Sequence, residues 1–507
     1  MCGFAGIVKK NQGLRYDHSV KPMGNLIKHR GPDNTGLWEN EDVSLGHVRL
    51  SIIDLSSAAN QPFCSPCGRY ILVYNGEVYN FPSLKKTLAQ QGYCFNSQSD
   101  TEVVLAALIE WGANAVTKFN GMFSFAFYDV VKSAVLLGRD RYGIKPLYYV
   151  KNNNKLIFAS EQKALNACPE HQKEINEEAV LEYFAFQNIY TDENLSKNVK
   201  TLMPGNVLHF DISSGRIRTE RYWDFNFEEP TIRRPNKYLI EEFQYLFERA
   251  ISQQLTSDVE VGSYLSGGID TGTIVAHAAK YIPKMKTFTC GFDMDLVEGL
   301  EINFDERPQA KFIADYFDLD FFDTVLGPGD MEQCHESLIW HIDEPRIGQS
   351  YPNYYAAKLA SQHVKVVLSG TGGDEIFAGY PWRYDWIKNG SDPFDESSGY
   401  FIFWRRLIGN EDFKTLMQPL YSKNPQFSPK EVFSNVFGSD HLKSKRREDL
   451  LNQTLRFEAK TFLHSLLLLE DKISMAHSLE SRVPFLDNDL VDFAMKCPAS
   501  IKLASNF

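Results

Sequence analysis

The chain has 507 residues, more than one hydrophobic core accommodates, so at roughly 150 residues per domain two to four domains are expected. With 43% hydrophobic, 23% charged and 13% aromatic residues it is not collagen-like, disordered or a disulfide scaffold. The 53 Lys and Arg against 65 Asp and Glu give a formal charge of −12, which predicts no broad basic footprint for nucleic acid or an anionic membrane but leaves a local phosphate site open.

The N-terminal run Met1 to Val8 reaches Lys9 and Lys10 at once and does not read as a signal peptide. The longest aliphatic stretch, Leu466 to Leu469, falls far short of the ~20 residues that span a bilayer. A soluble, cytoplasmic protein is expected. Cys64-Ser65-Pro66-Cys67 is the only close cysteine pair, with no second pair or histidine cluster beside it, so a reducing compartment fits better than a zinc or disulfide framework.

Short strands broken by turns fill the first 225 or so residues. Ile71 to Tyr74 runs into a turn at Asn75-Gly76, and Phe123 to Tyr128 ends at Asp129. Ala134 to Leu137, Leu147 to Val150 and Leu156 to Ala159 follow, with turn chemistry at Asp140-Arg141-Tyr142-Gly143. Thr101 to Trp111 reads as a helix that Asp100 could cap. This half is α+β. A polar stretch rich in Pro, Arg and Glu, residues 226–237, reads as a linker. Beyond it, Val259 to Leu265, Thr287 to Phe292 and Val364 to Leu368 are buried-strand runs separated by helix-length segments, the pattern of an α/β doubly wound parallel sheet. The segment from Tyr380 to about Lys460 is charged and aromatic and has no clear periodicity.

Two of these strands end in glycine-rich loops. Ser266-Gly267-Gly268-Ile269-Asp270-Thr271-Gly272 opens a helix at about Thr273. Glycines let backbone N–H groups turn toward an anion, and the helix start adds positive potential. It lacks the spacing and lysine of a P-loop. Asp270 beside phosphate implies a magnesium ion. Ser369-Gly370-Thr371-Gly372-Gly373-Asp374-Glu375 follows the strand at Val364 to Leu368. Either loop alone could be a structural turn. Together, at the carboxyl ends of parallel strands, they read as a nucleotide-and-metal site.

The N-terminal signal is Cys2. Removal of Met1 would leave an α-amine of pKa ~8 beside the thiol, able to act as its base. An ordinary second residue is the bland alternative. Against it stand Arg49, suited to clamp an α-carboxylate, Asp100, suited to an α-ammonium, and Asn75 with the Gly76 N–H as oxyanion donors.

At these residues a resemblance becomes plain. Met1-Cys2-Gly3, His29-Arg30-Gly31-Pro32-Asp33, Arg49 to Asp54, Tyr74-Asn75-Gly76-Glu77 and Arg139 to Tyr148 look like a class II glutamine amidotransferase domain with an N-terminal-nucleophile hydrolase fold. Ser266 to Thr271, Ser369 to Glu375 and Leu479 to Asp487 resemble an ATP-pyrophosphatase synthetase domain. In this order they resemble the glutamine-hydrolysing asparagine synthetases over nearly the whole chain, with residues 1–225 as glutaminase and 238–507 as synthetase. The resemblance implies that Cys2 attacks the glutamine amide, forms a thioester and releases ammonia, with Arg49, Ile53, Asn75, Gly76, Glu77 and Asp100 binding glutamine. It implies that ATP, with Mg2+ on Asp270 and Asp374, activates a carboxylate as an acyl-adenylate. Ser266, Gly267, Gly268 and Thr271 would hold phosphates with Lys472. Tyr264, Leu265 and Cys290 would border adenine, with Ser369 and Gly370 on the nucleotide's other side. The partners are small molecules: glutamine, ATP, and aspartate or another acceptor. A homodimer is compatible with the resemblance.

Three departures set further expectations. The family's serine is Thr271 here, which keeps the hydroxyl. Its acceptor-site glutamate is Thr371, which leaves open another acceptor, such as a sugar-linked acid. The chain ends at Phe507 without the family's further lysine, so a silent synthetase site retaining glutaminase or regulatory function is a third reading. His29, His47 and His477 read as structural, and the aromatic clusters around Tyr380 and Tyr400 as core or interface.

Overall fold

The computed structural model describes residues 2–9, 20–152, 155–168, 171, 173–232, 234–294, 305–345, 350–390, 392–395, 399–438 and 446–503. Twelve strands build two antiparallel sheets: β1 Gly3–Lys9, β2 Asn34–Glu39, β3 Val43–Arg49, β4 Phe63–Cys64, β5 Tyr70–Val78, β6 Gly121–Asp129, β7 Ala134–Arg139, β8 Tyr148–Asn152, β9 Lys155–Ala159, β10 Val199–Thr201, β11 Asn206–Asp211 and β12 Arg216–Arg221. The first sheet has the order β10-β8-β9-β1-β3-β2 and the second β12-β11-β7-β6-β5-β4.

Alternation along these strands explains the layering. In β1, Phe4 and Val8 enter a core shared with Ile71 and Val73 of β5, between the sheets. Ala5 and Ile7 point the other way, against Val20, Met23 and Ile27. On the far side, Leu72, Tyr74 and Val78 of β5 pack on the helix Asp100–Trp111. Both sheets are therefore covered on both faces, which gives four layers, helix–sheet–sheet–helix.

Five more strands, β13 Val261–Tyr264, β14 Lys286–Phe292, β15 Asp320–Leu326, β16 Val366–Leu368 and β17 Glu480–Arg482, form a parallel sheet in the order β15-β14-β13-β16-β17. Successive strands step outward from β13 in one direction and then in the other. The order reverses between β13 and β16, the place where a doubly wound sheet opens a ligand crevice. The anticipated fold class, α+β followed by α/β, is the one observed.

Several local expectations are corrected. Asn75-Gly76 does not turn: β5 runs through it to Val78, because Asn75, Gly76 and Glu77 pair with Ser124, Phe123 and Met122 of β6. Glycine is needed at position 76 because a Cβ would lie 2.1 Å from the Met122 carbonyl oxygen. The helix Asp100–Trp111 is capped by Ser99, whose side chain accepts from the Thr101 N–H, and Asp100 is its first residue. The helix after the first glycine-rich loop begins at Ile269 rather than Thr273. β15 and β17 carry too little sequence signal to be read: Asp320–Leu326 is largely exposed or polar, and Glu480–Arg482 is a buried charged tripeptide. The segment after Tyr380 resolves into short helices closing on an aromatic core of Trp386, Tyr400, Trp404, Phe433, Phe437 and Phe457.

The chain after β12 is not a free tether. Phe225 and Phe227 are buried. Asp224 accepts from Arg456 at 3.2 Å and Lys460 at 2.9 Å, and the Glu228 N–H donates to the Met495 carbonyl at 3.1 Å. One apolar cluster joins Leu50, Ile52, Met122 and Tyr142 to Val261, Leu368 and Leu486, so the antiparallel and parallel halves share a core. Polar ties surround it: Asn120 donates to Asp487 at 2.6 Å and accepts from the Asn488 N–H at 3.0 Å, and Arg30 pairs with Asp471 at 2.8 Å. No helix among the described residues is long and apolar enough to cross a membrane.

Candidate active sites

Cys2 immediately precedes β1 and faces an open cleft of about 320 Å³ lined by Arg49, Ile53, Gln61, Gly76, Glu77 and Asp100, among others. The cleft thus gathers five of the residues expected around Cys2 by sequence, and Asn75 adjoins it. The Cys2 nitrogen donates to Asn75 Oδ1 at 3.1 Å, which orients the amide; Asn75 Nδ2 is then buried with no partner. An unpaired buried donor costs about 1–3 kcal/mol. Beside the Cys2 thiol, such a donor is suited to an incoming oxygen. Arg30 Nε holds the Cys2 carbonyl at 3.1 Å, and the thiol lies 3.9 Å from the Leu50 carbonyl. Burial raises the thiol pKa, while the charge of the chain terminus, the Leu50 contact and Arg49 pull it down.

Arg49 closes β3 and enters the cleft with its guanidinium held by the Ser56 carbonyl and Asn60 Oδ1, each at 2.7 Å, and by the Asp54 carbonyl. That frame aims it rigidly. Asp100 accepts from Tyr74 Oη at 2.7 Å and from the Val78 N–H at 3.0 Å. Burial nonetheless raises its pKa to about 6. Glu77 is pushed well up by burial, then by Asp100 and Glu480, and is drawn down by Arg482. Two carboxylates held back from ionising by burial and by the nearby Glu480 make a receptor for a cation. Gln61 was not anticipated: its amide brackets Tyr74, accepting from its N–H at 2.7 Å and donating to its carbonyl at 3.1 Å, and so fixes the strand beside Asn75.

The second site lies at the crevice between β13 and β16. Ser266 Oγ caps the Gly268 N–H at 3.1 Å and meets Thr271 Oγ1 at 2.9 Å, and Thr271 Oγ1 also accepts from the Ser266 N–H at 2.9 Å. The Thr271 hydroxyl therefore closes the loop on itself. The second loop comes up against the first: a Cβ on Gly370 would lie 3.1 Å from the Asp270 and Thr271 side chains, and one on Gly373 only 2.3 Å from Asp270 Oδ2. This approach brings Asp270 and Asp374 together. The Asp270 pKa rises to about 7, through burial first, then repulsion from Asp374 and Glu375. Asp374 is raised by burial as well. A carboxylate pair that repels itself in this way fits a divalent cation, although no group of three or more His, Cys, Asp or Glu is placed to hold a metal among the described residues.

Ser369 Oγ meets Thr371 Oγ1 at 3.1 Å, so position 371 contributes a hydroxyl tied to its own loop. Leu265 sits at the end of β13, its N–H donating to the Phe288 carbonyl at 3.0 Å. Its carbonyl accepts from Thr289 Oγ1 at 2.6 Å. Tyr264 is part-buried, and burial lifts the half-buried Cys290 thiol to about 12. Gly267 packs against Gln309. The buried Nζ of Lys472 donates to the Ile342 carbonyl at 2.7 Å and lies 3.7 Å from Asp343. Behind Asp374, Tyr380 Oη donates to Glu375 Oε1 at 2.7 Å, while Glu375 Oε2 accepts from the Gly372 N–H at 3.1 Å. Tyr380, read from sequence as core or interface, is thus a brace for the loop; an aromatic without a charged neighbour in sequence offered no such signal.

The histidines take structural places. His47 Nε2 meets the Tyr74 carbonyl at 3.2 Å, with its pKa lowered by burial to about 3, and His29 pairs with Glu161 at 3.0 Å. The run Arg139 to Lys145 is also structural. Asp140 accepts from the N–H groups of Phe123, Tyr142, Ile144 and Lys145, and Arg139 donates to the carbonyls of Gly143, Lys145 and Leu202.

Comparison with known proteins resolves what these two sites have in common. Residues 1–223 match the family model described as a glutamine amidotransferase domain, and residues 242–507 the model described as asparagine synthase. The chain belongs to the asparagine synthase family. Asparagine synthetase [glutamine-hydrolyzing] 1 of Bacillus subtilis (strain 168) is 33% identical, over 99% of this chain and 82% of its own. Asparagine synthetase [glutamine-hydrolyzing] 3 of the same organism is 29% identical over 100% of this chain and 82% of its own. A Methanocaldococcus jannaschii protein is 35% identical over 76% of this chain and 78% of its own. Membership identifies the architecture as that of a glutamine-hydrolysing ligase of the asparagine synthase family.

Proposed function

We propose that this asparagine synthase family member amidates aspartate to asparagine, using glutamine as nitrogen donor and ATP as driving force. Residues 1–225 then form the glutaminase, 226–237 the connection and 238–507 the synthetase, working in the cytoplasm on small molecules. The observation that carries this reading is the meeting of Asp270 and Asp374 across the two loops, in a chain whose other half sets Cys2 against an unpaired Asn75 amide.

In the glutaminase half, Arg49 would clamp the glutamine α-carboxylate, while Glu77 and Asp100 receive its α-ammonium. That cation restores both carboxylates to the ionised form their burial disfavours. Ile53 lines the side chain's path. The α-amine exposed on removal of Met1 takes the Cys2 proton as Sγ attacks the amide carbon. Asn75 Nδ2 and the Gly76 N–H stabilise the oxyanion, ammonia leaves, and water later clears the thioester.

In the synthetase half, Ser266, Gly267, Gly268 and Thr271 cradle phosphates, with Tyr264, Leu265 and Cys290 on the adenine side and Ser369 and Gly370 opposite. Asp270 and Asp374 would hold Mg2+, which would supply positive charge to offset that of the phosphates. The acceptor carboxylate attacks the α-phosphorus, pyrophosphate leaves, and ammonia displaces AMP from the acyl-adenylate. Ammonia generated in a closed interior stays unprotonated and reactive, and the adenylate is shielded from water. In this reading Lys472 would turn toward the phosphates from its place on Ile342.

A second acceptor is favoured by one observation: Thr371 offers a hydroxyl held by Ser369. Another carboxylate, such as a sugar-linked acid, would then replace aspartate. Pyrophosphate release from Mg-ATP and glutamine, with and without aspartate, separates the readings. Aspartate-dependent release with matching asparagine supports the first, and a Cys2→Ala chain should then work only with added ammonia. Glutamate formation with no response to aspartate refutes it.

A further inference from the structure

One residue touches both centres without belonging to either. Arg482 ends β17 wholly buried, and its guanidinium and carbonyl serve different halves of the molecule. Nη2 lies 4.0 Å from Glu77 Oε1 in the glutamine cleft and has no hydrogen-bond partner of its own. Nε donates to Glu480 Oε1 at 2.6 Å. Nη1 donates to the carbonyls of Gln254 and, at 2.8 Å, Thr256. Two residues on, Asp258 grips the cleft's own loop, accepting the Asp54 N–H at 2.7 Å and donating its N–H to the Ile52 carbonyl at 2.9 Å. The Arg482 carbonyl accepts the Ser369 N–H at 2.8 Å, at the root of the second nucleotide loop.

We infer that Arg482 is a positioning residue that couples glutamine occupancy to the nucleotide loop. It works through Glu77 and the Asp258 grip on one side and the Ser369 N–H on the other. The physical basis is a choice between partners. Nη2 stands just beyond hydrogen-bond range of Glu77, and Glu480 competes for the same guanidinium. An ammonium group that holds Glu77 in place redistributes Arg482 between these carboxylates. Any shift of Arg482 reaches Ser369 through a single peptide unit. By linkage the effect is reciprocal: filling the nucleotide crevice tightens the glutamine cleft. The inference rests on the proposed two-site function and is tested apart from it.

The test is steady-state glutaminase activity of the full chain, with and without a non-hydrolysable ATP analogue plus Mg2+ and aspartate. Ammonia-driven pyrophosphate release is run in parallel and reports on the two-site reading itself. In the unaltered chain the glutamine KM should fall by about five-fold or more when the crevice is filled, with kcat little changed. In Arg482→Lys, which keeps the charge but cannot span Glu77, Glu480 and two carbonyls, that ratio should drop to near one. A purely structural arginine would lower activity and leave the ratio intact. Asp258→Ala, which severs only the loop grip, should give an intermediate ratio, and decides the matter if Arg482→Lys does not fold. An unaltered chain with ammonia-driven synthesis but no change in KM, or variants that keep the full ratio, overturns the coupling. A chain that binds no nucleotide overturns both readings.

Discussion

Placing a single methyl group at Gly373 should disable the nucleotide crevice while sparing the glutamine cleft. Gly373 begins the helix Gly373–Phe377, so alanine is acceptable to the backbone and the effect comes from space alone. The added Cβ would stand 2.3 Å from Asp270 Oδ2, 2.5 Å from its Cγ and 2.7 Å from Oδ1, where ordinary contact begins at 3.4 Å. The carboxylate must therefore retreat by about 1 Å. It has little room to do so, because Gly370 lies against the same side chain, a Cβ there falling 3.1 Å from Asp270 Cβ. A misplacement of ~1 Å in a group that positions reacting atoms costs on the order of 10²-fold in rate. Ammonia-driven pyrophosphate release from Mg-ATP and aspartate should fall by that factor in Gly373→Ala, and glutamine hydrolysis by the same preparation should not. Unchanged pyrophosphate release in the folded variant would show that Asp270 does not act where the two loops meet.

Asn75→Ala removes the unpaired Nδ2 beside Cys2 and should cut glutaminase kcat by about 10²–10³-fold, with ammonia-driven synthesis retained; parallel assays check both. Mg2+ should raise the melting temperature more at about pH 8 than at about pH 6. Without the ion, folded Asp270 keeps its proton up to about 7 although its ordinary pKa is 3.8, so the folded state binds more protons and stability falls as pH rises through that window. A bound cation replaces the proton and reverses the trend; a magnesium-induced shift independent of pH in calorimetry would count against the Asp270–Asp374 pair. Arg30→Met strips the buried Glu161 and Asp471 of a partner at 2.8 Å each and releases the Cys2 carbonyl. Urea unfolding should show a loss of about 3–5 kcal/mol, the usual consequence of leaving buried charges unpaired.

Much of the chemistry was legible in the order of residues because it resides in short local patterns. A cysteine at position 2, two glycine-rich loops after β-rich runs, and carboxylates inside those loops each suggest a chemistry through the side-chain types a few positions supply. The fold class followed from hydrophobic runs whose lengths and spacing are likewise local. What the tertiary structure alone decided are matters of pairing across distance. Asn75-Gly76 carries the composition of a turn and became mid-strand because β6 lies alongside it. Glu480–Arg482 looks like surface and became a buried strand because Gln254, Thr256 and Glu77 surround its charges. Asp270 and Asp374 are 104 positions apart, and only the reversal of strand order between β13 and β16 places them together. Local sequence determines which groups are present; the energy of bringing them together, and hence their altered pKa values and partners, exists only once the two halves close on one shared core.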